Sequence, residues 1–581
     1  MPQIIARPHS DERYRNLLSA NIHPVMARLF AARNIDAPVQ LSTELAHLVG
    51  LDAMRGIETA TRLLADAITE KRKLLIIADY DADGATACAV AIRALRAMGA
   101  KVDYLVPNRF EFGYGLTPEI VRLAYEKRPD MLITVDNGIA SIDGVAEANR
   151  LGMQVVVTDH HLPGDTLPEA AAIVNPNQPD CRFPSKNLAG VGVIFYVLLA
   201  LRSEFRRRGR YNTASPRLPL YRTAGMDKPT DGEPNLADLL DIVALGTVAD
   251  VVKLDDNNRR LVAQGLARIR AGRACPGIRA LLSVSGRSLA SVSTYEMGFI
   301  LGPRLNAAGR LTDMSLGIEC LITDDESRAA TMAAQLDALN RERRDIEAGM
   351  QEAALIKLEN IDPRENFTLA VFEPDWHQGV IGILASRLKD KFHRPVIAFA
   401  RGADGLLKGS GRSIPPLHLR DALDLVSKRH PQLIAKFGGH AAAAGLTIAE
   451  TDFPIFVAAF EEVSRSMLSP ADLTEVIETD GELSTDQLNL DLAVAIQQIV
   501  WGQGFPAPRF EGIFDIESQR IVGEKHLKLT LRYQSQRYDA ISFFEERSPP
   551  PRIRAVYRPD VNEYNGTSRL QLIIEHWEPL Q

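Results

Sequence analysis

The sequence predicts an α/β protein in three parts: a domain built on a parallel sheet, a smaller α/β domain joined to it by a long helix, and a C-terminal β-barrel domain. Three observations carry that expectation. Between residues 74 and 162 a short apolar run, an acidic or polar turn and a helical segment recur, the pattern of parallel strands linked by crossover helices. From about 325 to 358 a helical pattern continues with Gly349 as its only Gly or Pro. After Pro470 the texture changes to alternating strands, which suit an open barrel.

The strands of the first domain are LLIIA (74 to 78), VDYLV (102 to 106), MLITV (131 to 135) and VVVT (155 to 158). Between them lie the helical segments TACAVAIRALRAMG, TPEIVRLAYEKR and SIDGVAEANRLG; Thr117 is the N-cap of the second, with Pro118 at the first helical position. LAGVGVIFYVLLALRSEF and LADLLDIVALGTVADVV follow as buried helices, separated by an aperiodic Pro, Gly, Arg and Thr-rich stretch at 207 to 235 that reads as a surface loop. At 1.5 Å per residue the long helix reaches ~50 Å, enough to bridge two domains. In the second α/β unit, about 366 to 465, FTLAVFE and PVIAFA flank a helix around GVIGILASRLKDKF. LKLTLRY (527 to 533) and LQLII (570 to 574) are strands of the last domain. The expected divisions are an N-terminal extension at 1–50, the parallel-sheet domain at 51–323, the connecting helix at 324–360, the second α/β domain at 361–466 and the β domain at 467–581.

With 581 residues, 46% apolar and 24% charged, the chain has ordinary globular composition, which excludes a single small module and a collagen-like or disordered protein. The longest apolar stretch, VGVIFYVLLAL, covers 11 residues and is too short to span a bilayer, which takes about 20. The N-terminus carries charges where an export signal needs apolar residues, so a cytoplasmic protein is expected. Cys88, Cys181, Cys275 and Cys320 lie far apart, which excludes a CxxC zinc ribbon or redox motif. A net charge of −7 argues against a protein that coats nucleic acid by bulk positive charge, and leaves room for a local basic groove. Carboxylates that hold divalent cations would read as acidic in this count.

The acids sit where chemistry is expected. Asp79, Asp81 and Asp83 follow the first apolar run, Asp136 follows the third, and Asp159, His160 and His161 follow the fourth. Each lies just past the carboxyl end of a strand, the edge at which open parallel sheets bind ligands. Asp250, at the end of LGTVAD, is a sixth acid for the same cleft. An isolated DxDxDG reads more simply as a turn or a calcium-type loop, and an isolated TDHH as histidines that satisfy backbone groups. Their joint placement resists that account, because a buried unpaired carboxylate costs on the order of several kcal/mol. An Asp/His shell without thiolate suits Mn²⁺ or Mg²⁺, two of them sharing a bridging carboxylate.

IADYDADGAT, TVDNGI, TDHH and ALGTVADVV, in that order, followed by GPRLNAAGR at 302 to 310, resemble the motifs of the DHH phosphoesterase superfamily. WHQGVIGILASR, KGSGRS and FGGHAAAAGL resemble its second domain, DHHA1. With VPNRFEFGYGL and the C-terminal β domain, the whole chain is similar to the superfamily's single-strand-specific 5′→3′ DNA exonucleases of bacteria. The resemblance implies an OB-like barrel and hydrolysis of single-stranded DNA to 5′-mononucleotides with two divalent cations, in repair and recombination. Asp81, Asp83, Asp136, His160 and Asp250 match metal ligands; Asp79 joins them as an accessory acid, and Asp159 as a carboxylate that orients an imidazole. His161 matches the histidine that faces the scissile phosphate, with Asp81 and Asp136 the other catalytic positions. Ser410, Arg412 and Arg109 match the residues that hold a 5′ phosphate, and Gly438, Gly439 and His440 permit close backbone approach. The resemblance also implies a monomer of the bacterial cytoplasm that works with a single-strand-binding protein and a helicase.

Arg304 and Arg310 flank Asn306, and guanidinium forks suit phosphate oxygens; the plainer account ties such arginines to neighbouring acids. Tyr80, Phe110, Phe112 and Tyr114 are candidates to stack bases or narrow the entrance. Lys525, Lys528, Arg532 and Arg537 are candidates for a strand-binding face of the barrel, and RRRGR at 206 to 210 reads as a solvated helix end. The first alternative is another phosphoesterase of the superfamily, acting on short oligonucleotides or cyclic dinucleotides. A haloacid-dehalogenase-type phosphatase would use DxDGT without needing TDHH, and a catalytically dead strand-binding protein would not need the full ligand set.

Overall fold

The computed structural model describes residues 2–108, 115–212, 217–221, 232–358, 365–523, 525–564 and 567–580. The chain divides into two compact units: Ala6–Asp337 with Glu478–Gln581, and Ala338–Ile477 with the extreme N-terminus.

The first unit is organised by five parallel strands: β1 (Lys73–Ala78), β2 (Lys101–Leu105), β3 (Met131–Val135), β4 (Gln154–Thr158) and β5 (Ala172–Val174). Leu74–Ala78, Met131–Val135 and Val155–Thr158 are buried without alternation, as strands covered on both faces must be. The order across the sheet is β2-β1-β3-β4-β5. The chain therefore enters at β1, goes to one side for β2 and returns past β1 to β3. That reversal opens a crevice between β1 and β3 at their carboxyl ends. Helices α1 (Ala82–Ala97), α2 (Pro118–Glu126) and α3 (Ile142–Arg150) make the crossovers, and Thr117 caps α2 by accepting from the Ile120 amide. The two apolar runs form α4 (Gly190–Arg207) and α5 (Leu240–Ala249), buried as expected. Of the stretch read as a loop, Arg217–Leu218 pairs with Glu233–Pro234, while 213–216 and 222–231 lie outside the described residues. The RRRGR arginines are engaged locally, Arg206 on Glu233, Arg207 on Glu204 and Arg208 on Glu204 and Asp66.

The barrel belongs to the same unit. Strands Phe510–Val522, His526–Tyr533, Gln536–Phe543, Arg552–Tyr564 and Thr567–Pro579 close fully, against the expectation of an open barrel. Closure comes from a parallel pairing of the third and fifth strands over Asp539–Ile541, a contact between segments about thirty residues apart that alternation alone does not reveal. The segment leading into the barrel is pinned to the N-terminal region. Arg33 and Asp480 form a two-toothed ion pair with both side chains almost fully buried, and Arg33 Nε also donates to the Pro506 carbonyl. Phe30, Trp501 and Phe505 form a triangle of near-parallel rings, with centres 5.1 to 6.4 Å apart, and the Arg259 guanidinium lies 4.2 Å from the centre of the Phe505 ring.

The long helix α7 spans Glu326–Leu358, and the division between the units falls within it. The second unit carries a mixed five-stranded sheet. Its strands are Leu369–Phe372, Val396–Arg401, Leu407–Arg412, Lys436–Gly439 and Ala443–Ile448, with only the first two parallel, and helix α8 (Ile381–Phe392) lies on it. Phe399, Phe456 and Phe460 centre its core.

A buried ion pair that loses one partner leaves a desolvated charge. Asp480→Ala should therefore destabilise the unit by about 3–5 kcal/mol, read as a lower urea midpoint for barrel fluorescence. An unchanged midpoint would mean that Arg33 does not anchor this segment.

Candidate metal centre

The first acidic loop is shaped by its own carboxylates. Asp81 is the N-cap of α1, its Oδ1 accepting from the amides of Asp83 and Gly84. Asp79 and Asp136 lie one residue beyond β1 and β3, at the edge where the strand order reverses; the amide of Asp79 donates to the carbonyl of Val135 and that of Asp136 to the carbonyl of Thr158. Asp136 sits in the left-handed region at φ 64°, which turns its side chain off the strand direction. Asn137 secures that turn by donating to the carbonyls of Ile77 and Val135. Asp159 follows β4 in the same way, and Asn177 and Asn175 donate to the carbonyls of His160 and His161.

These loops bring the expected residues together. His160 Nε2 lies 3.1 Å from Asp136 Oδ1, 3.5 Å from Asp250 Oδ2 and 3.9 Å from Asp83 Oδ2. Three groups of potential ligand atoms each fall within 4.8 Å of one another: Asp79, Asp81 and Asp136; Asp83, His160 and Asp250; Asp136, His160 and His161. Asp136 and His160 each belong to two of these clusters, and of the two only the carboxylate has a second oxygen with which it could serve two cations.

Burial, followed by the charge of Asp81, pushes the Asp83 carboxyl up to about 7. Burial and the surrounding carboxylates likewise push Asp136 and Asp250 well above the usual carboxylate range. Burial, then the charge of His161, lowers His160 to about 4, which keeps its imidazole neutral and able to ligate. Burial also works against protonation of His161, but the Asp159 carboxylate, 2.7 Å from Nδ1, prevails and raises it to about 8. Asp159 in turn accepts from the amides of Ile139, His160 and His161. His160 Nε2 and Asp250 Oδ2 are buried and make no hydrogen bond among the described residues. Carboxylates held near neutrality beside a neutral imidazole fit divalent cations, whose charge removes the mutual repulsion.

Several supports escape a reading of motifs. Both oxygens of Asp83 accept amide hydrogens from the start of α4, Gly190 at 2.5 Å and Val191 at 2.9 Å. A Cβ on Gly190 would stand 2.6 Å from Asp136, so only glycine lets α4 approach. Gly246 plays the same part on α5, where a Cβ would collide with Thr86 Oγ1. The signal was the GVG and ALG spacing, which by itself reads as helix packing.

The remaining candidates fall into two places. Helix α6 (Gly302–Leu311) presses on the acidic loop: Asn306 Oδ1 accepts from the Ala82 amide, and a Cβ on Gly309 would collide with the Tyr80 carbonyl. Arg304 is committed to Asp337 at 2.7 Å and to the Ile300 carbonyl, the plainer of its two expected roles; Arg310 is half-buried on the last turn. In the second unit, Ser410, Gly445 and Gly438 form one row across three strands, with Arg412 opposite Ala443 and Gly439 opposite Ala444. Ser410 and Arg412 thus share a face whose floor has no side chains at Gly438 and Gly445. Gly382, in the first turn of α8, covers them; a Cβ there would be 2.9 Å from Ser410 Oγ and 3.1 Å from Arg412 Nη2. Burial lowers the pKa of Arg412, and among the described residues no carboxylate pairs with it. His440 is exposed just beyond the glycines. Arg109, Phe110, Phe112 and Tyr114 lie outside the described residues. On the barrel, Arg532 pairs with Asp515 and Arg537 with Glu517, as on a solvated strand face.

Comparison with known proteins finds relatives along the whole chain. Family models match the DHH family N-terminal domain at residues 73–247, the DHHA1 domain at 365–466 and the RecJ OB domain at 479–576. The single-stranded-DNA-specific exonuclease RecJ of Dickeya dadantii is 48% identical, covering 100% of this chain and 99% of its own. That of Escherichia coli is 46% identical over 97% of both chains. The crystal structure of RecJ from Thermus thermophilus in complex with Mn²⁺ superposes with a TM-score of 0.81 at 28% identity, covering 100% of this chain and 79% of that one.

The raised carboxyls carry a sign. A group that binds its proton more tightly folded than unfolded makes the cation-free protein lose stability as pH rises, here from about 4 towards 7 for Asp83. A cation must displace those protons, so added Mn²⁺ should raise the melting temperature more at about pH 8 than at about pH 6. An equal rise at both would show that the cluster holds no extra protons.

Proposed function

The chain belongs to the RecJ family of single-stranded-DNA-specific exonucleases, and we propose that it cuts its substrate at the Asp/His cluster, from the 5′ end, with two divalent cations. One observation carries this reading: acids and imidazoles from remote segments meet at the crevice where the sheet reverses its strand order. Mn²⁺ or Mg²⁺ bound there supplies Lewis-acid chemistry, lowering the pKa of a water and offsetting charge on the scissile phosphate.

Asp79, Asp81 and Asp136 would hold one cation, and Asp83, His160 and Asp250 the other, with Asp136 close enough to His160 to serve both. Asp83 is steadied by the two α4 amides, which limits how far its carboxylate can shift. His161, oriented and charged by Asp159, presents the far side of its ring to stabilise the transition-state phosphate or protonate the leaving 3′ oxygen. Asn306 keeps the acidic loop in place by holding the Ala82 amide. Ser410 and Arg412, on a floor of glycines, are the candidate anchor for a 5′ phosphate, with Gly438, Gly439 and His440 of the same unit as further candidates; Arg310, and Arg109 and Tyr114 outside the described residues, are candidate strand contacts. An anchored end presents only the first phosphodiester for cleavage, which accounts for 5′→3′ direction and mononucleotide products. No described helix is long and apolar enough to cross a membrane. We place the enzyme in the bacterial cytoplasm as a monomer serving repair and recombination beside a single-strand-binding protein and a helicase.

The test is a time course with single-stranded DNA and Mn²⁺. A 5′ label should appear at once as mononucleotide and a 3′ label only late, with duplex left intact; the reverse order would overturn the direction. Asp136→Asn should lower kcat by about 10³-fold while strand binding persists, and retained turnover would remove Asp136 from the site. Arg412→Ala should cut the preference for a 5′-phosphorylated over a 5′-hydroxyl end by about 10- to 100-fold, and an unchanged preference would exclude the anchor.

A further inference from the structure

Beside the metal centre the surface carries aromatic side chains that folding does not use. Residues Glu296–Leu301 form a π-helix that runs directly into α6. Such widened turns are rare and recur at functional sites. Tyr295 and Phe299 stack on each other, with ring centres 5.2 Å apart and planes 29° from parallel. They are 53% and 67% exposed, and Val251 is 63% exposed.

The π-helix is tied to the ligand-bearing end of α5. A Cβ on Gly298 would lie 3.3 Å from Val248 Cγ1, and one on Gly302 would lie 3.1 Å from Ala249 Cβ. Asp250, the next residue, is 3.5 Å from His160 through its carboxylate. Thr294, at the start of the same turn, donates to the Trp501 carbonyl and so fixes the segment from the other side. The aromatic pair therefore stands on a turn that is packed against the end of the helix leading to Asp250. Glu296, the acid between the two rings, is turned away and accepts from both the amide and the hydroxyl of Ser293. Lys253, on the Val251 loop, is exposed and in no ion pair among the described residues.

We propose that Tyr295 and Phe299 form a stacking platform for the bases of the single strand whose phosphodiester lies at the Asp/His cluster, with Lys253 facing its backbone. The inference rests on the nuclease reading of that cluster. Aromatic faces accept any base, which suits an enzyme that must pass every sequence, and a base inside a duplex has both faces covered by its neighbours, which suits single-strand selectivity. A protein partner fits the patch less well. Two rings bury at most about 150–250 Å² each, short of the ~800 Å² per partner of a stable interface.

The test compares the full-length enzyme with the Tyr295→Ala/Phe299→Ala variant on two substrates, with Mn²⁺ present. On a long oligodeoxynucleotide the variant should show a KM raised by about tenfold. On a 5′-phosphorylated dinucleotide, which offers only the two bases that flank the scissile bond, kcat should match wild type. An oligonucleotide with a run of abasic positions should bind wild type more weakly than the intact strand and bind the variant no more weakly still. The Tyr295→Leu/Phe299→Leu variant keeps apolar cover without stacking and should behave like the alanine variant; Tyr295→Phe should behave like wild type. An unchanged KM on the long strand, losses that simply add, or concentration-dependent self-association of the wild type that the variant lacks would each overturn the platform. A wild-type enzyme that releases no mononucleotide would sink the nuclease reading instead, and the wild-type control separates the two failures.

Discussion

Six carboxylates gathered at one sheet edge repel one another, and the surroundings of the cluster answer that repulsion. With burial removing the screening that water would give, Asp83, Asp136 and Asp250 are driven towards neutrality until a cation replaces the proton. The protein supplies partial positive charge wherever a cation does not reach. The first amides of α4 meet Asp83, the first amides of α1 meet Asp81, and three amides meet Asp159. The glycines at 190, 246 and 309 follow from the same demand, because each lets a backbone come closer than a Cβ would permit.

The two adjacent histidines show how position divides labour between identical side chains. His160 is buried among acids with its neighbour charged, and stays neutral. His161, half-exposed, is tied by Nδ1 to a carboxylate that three amides hold in place, and keeps its proton. One ring is thereby suited to a metal and the other to a phosphate oxygen. In the second unit the half-buried Arg412 is held by the Gly411 carbonyl and Ser410 Oγ, and among the described residues no acid pairs with it.

Legibility in the sequence depended on how local each feature was. The strands and crossover helices of the first sheet, the α2 cap at Thr117 and the long helix over 326–358 were readable because periodicity and punctuation act within a few residues. The cluster was readable because most of its acids and imidazoles fall just beyond an apolar run. The roles of Arg304 and Asn306 were not, since phosphate and Asp337 are equally good partners for a guanidinium, and only packing puts Asp337 within 2.7 Å. Barrel closure was hidden for the same reason, resting on a parallel pairing of two strands that are not consecutive. Tyr295 and Phe299 gave no signal, because an aromatic pair four residues apart on a helix normally packs inward.

By itself, then, the sequence determined which elements form and placed acids and imidazoles at the carboxyl ends of parallel strands, because backbone propensity and alternation are written in adjacent residues. Tertiary structure decided the strand order that opens a crevice between β1 and β3, which helix starts meet which carboxylates, which arginine is spent on an acid, and which aromatics remain in water. Those outcomes are set by contacts between segments that are tens to hundreds of residues apart, and their energies exist only once the chain has folded.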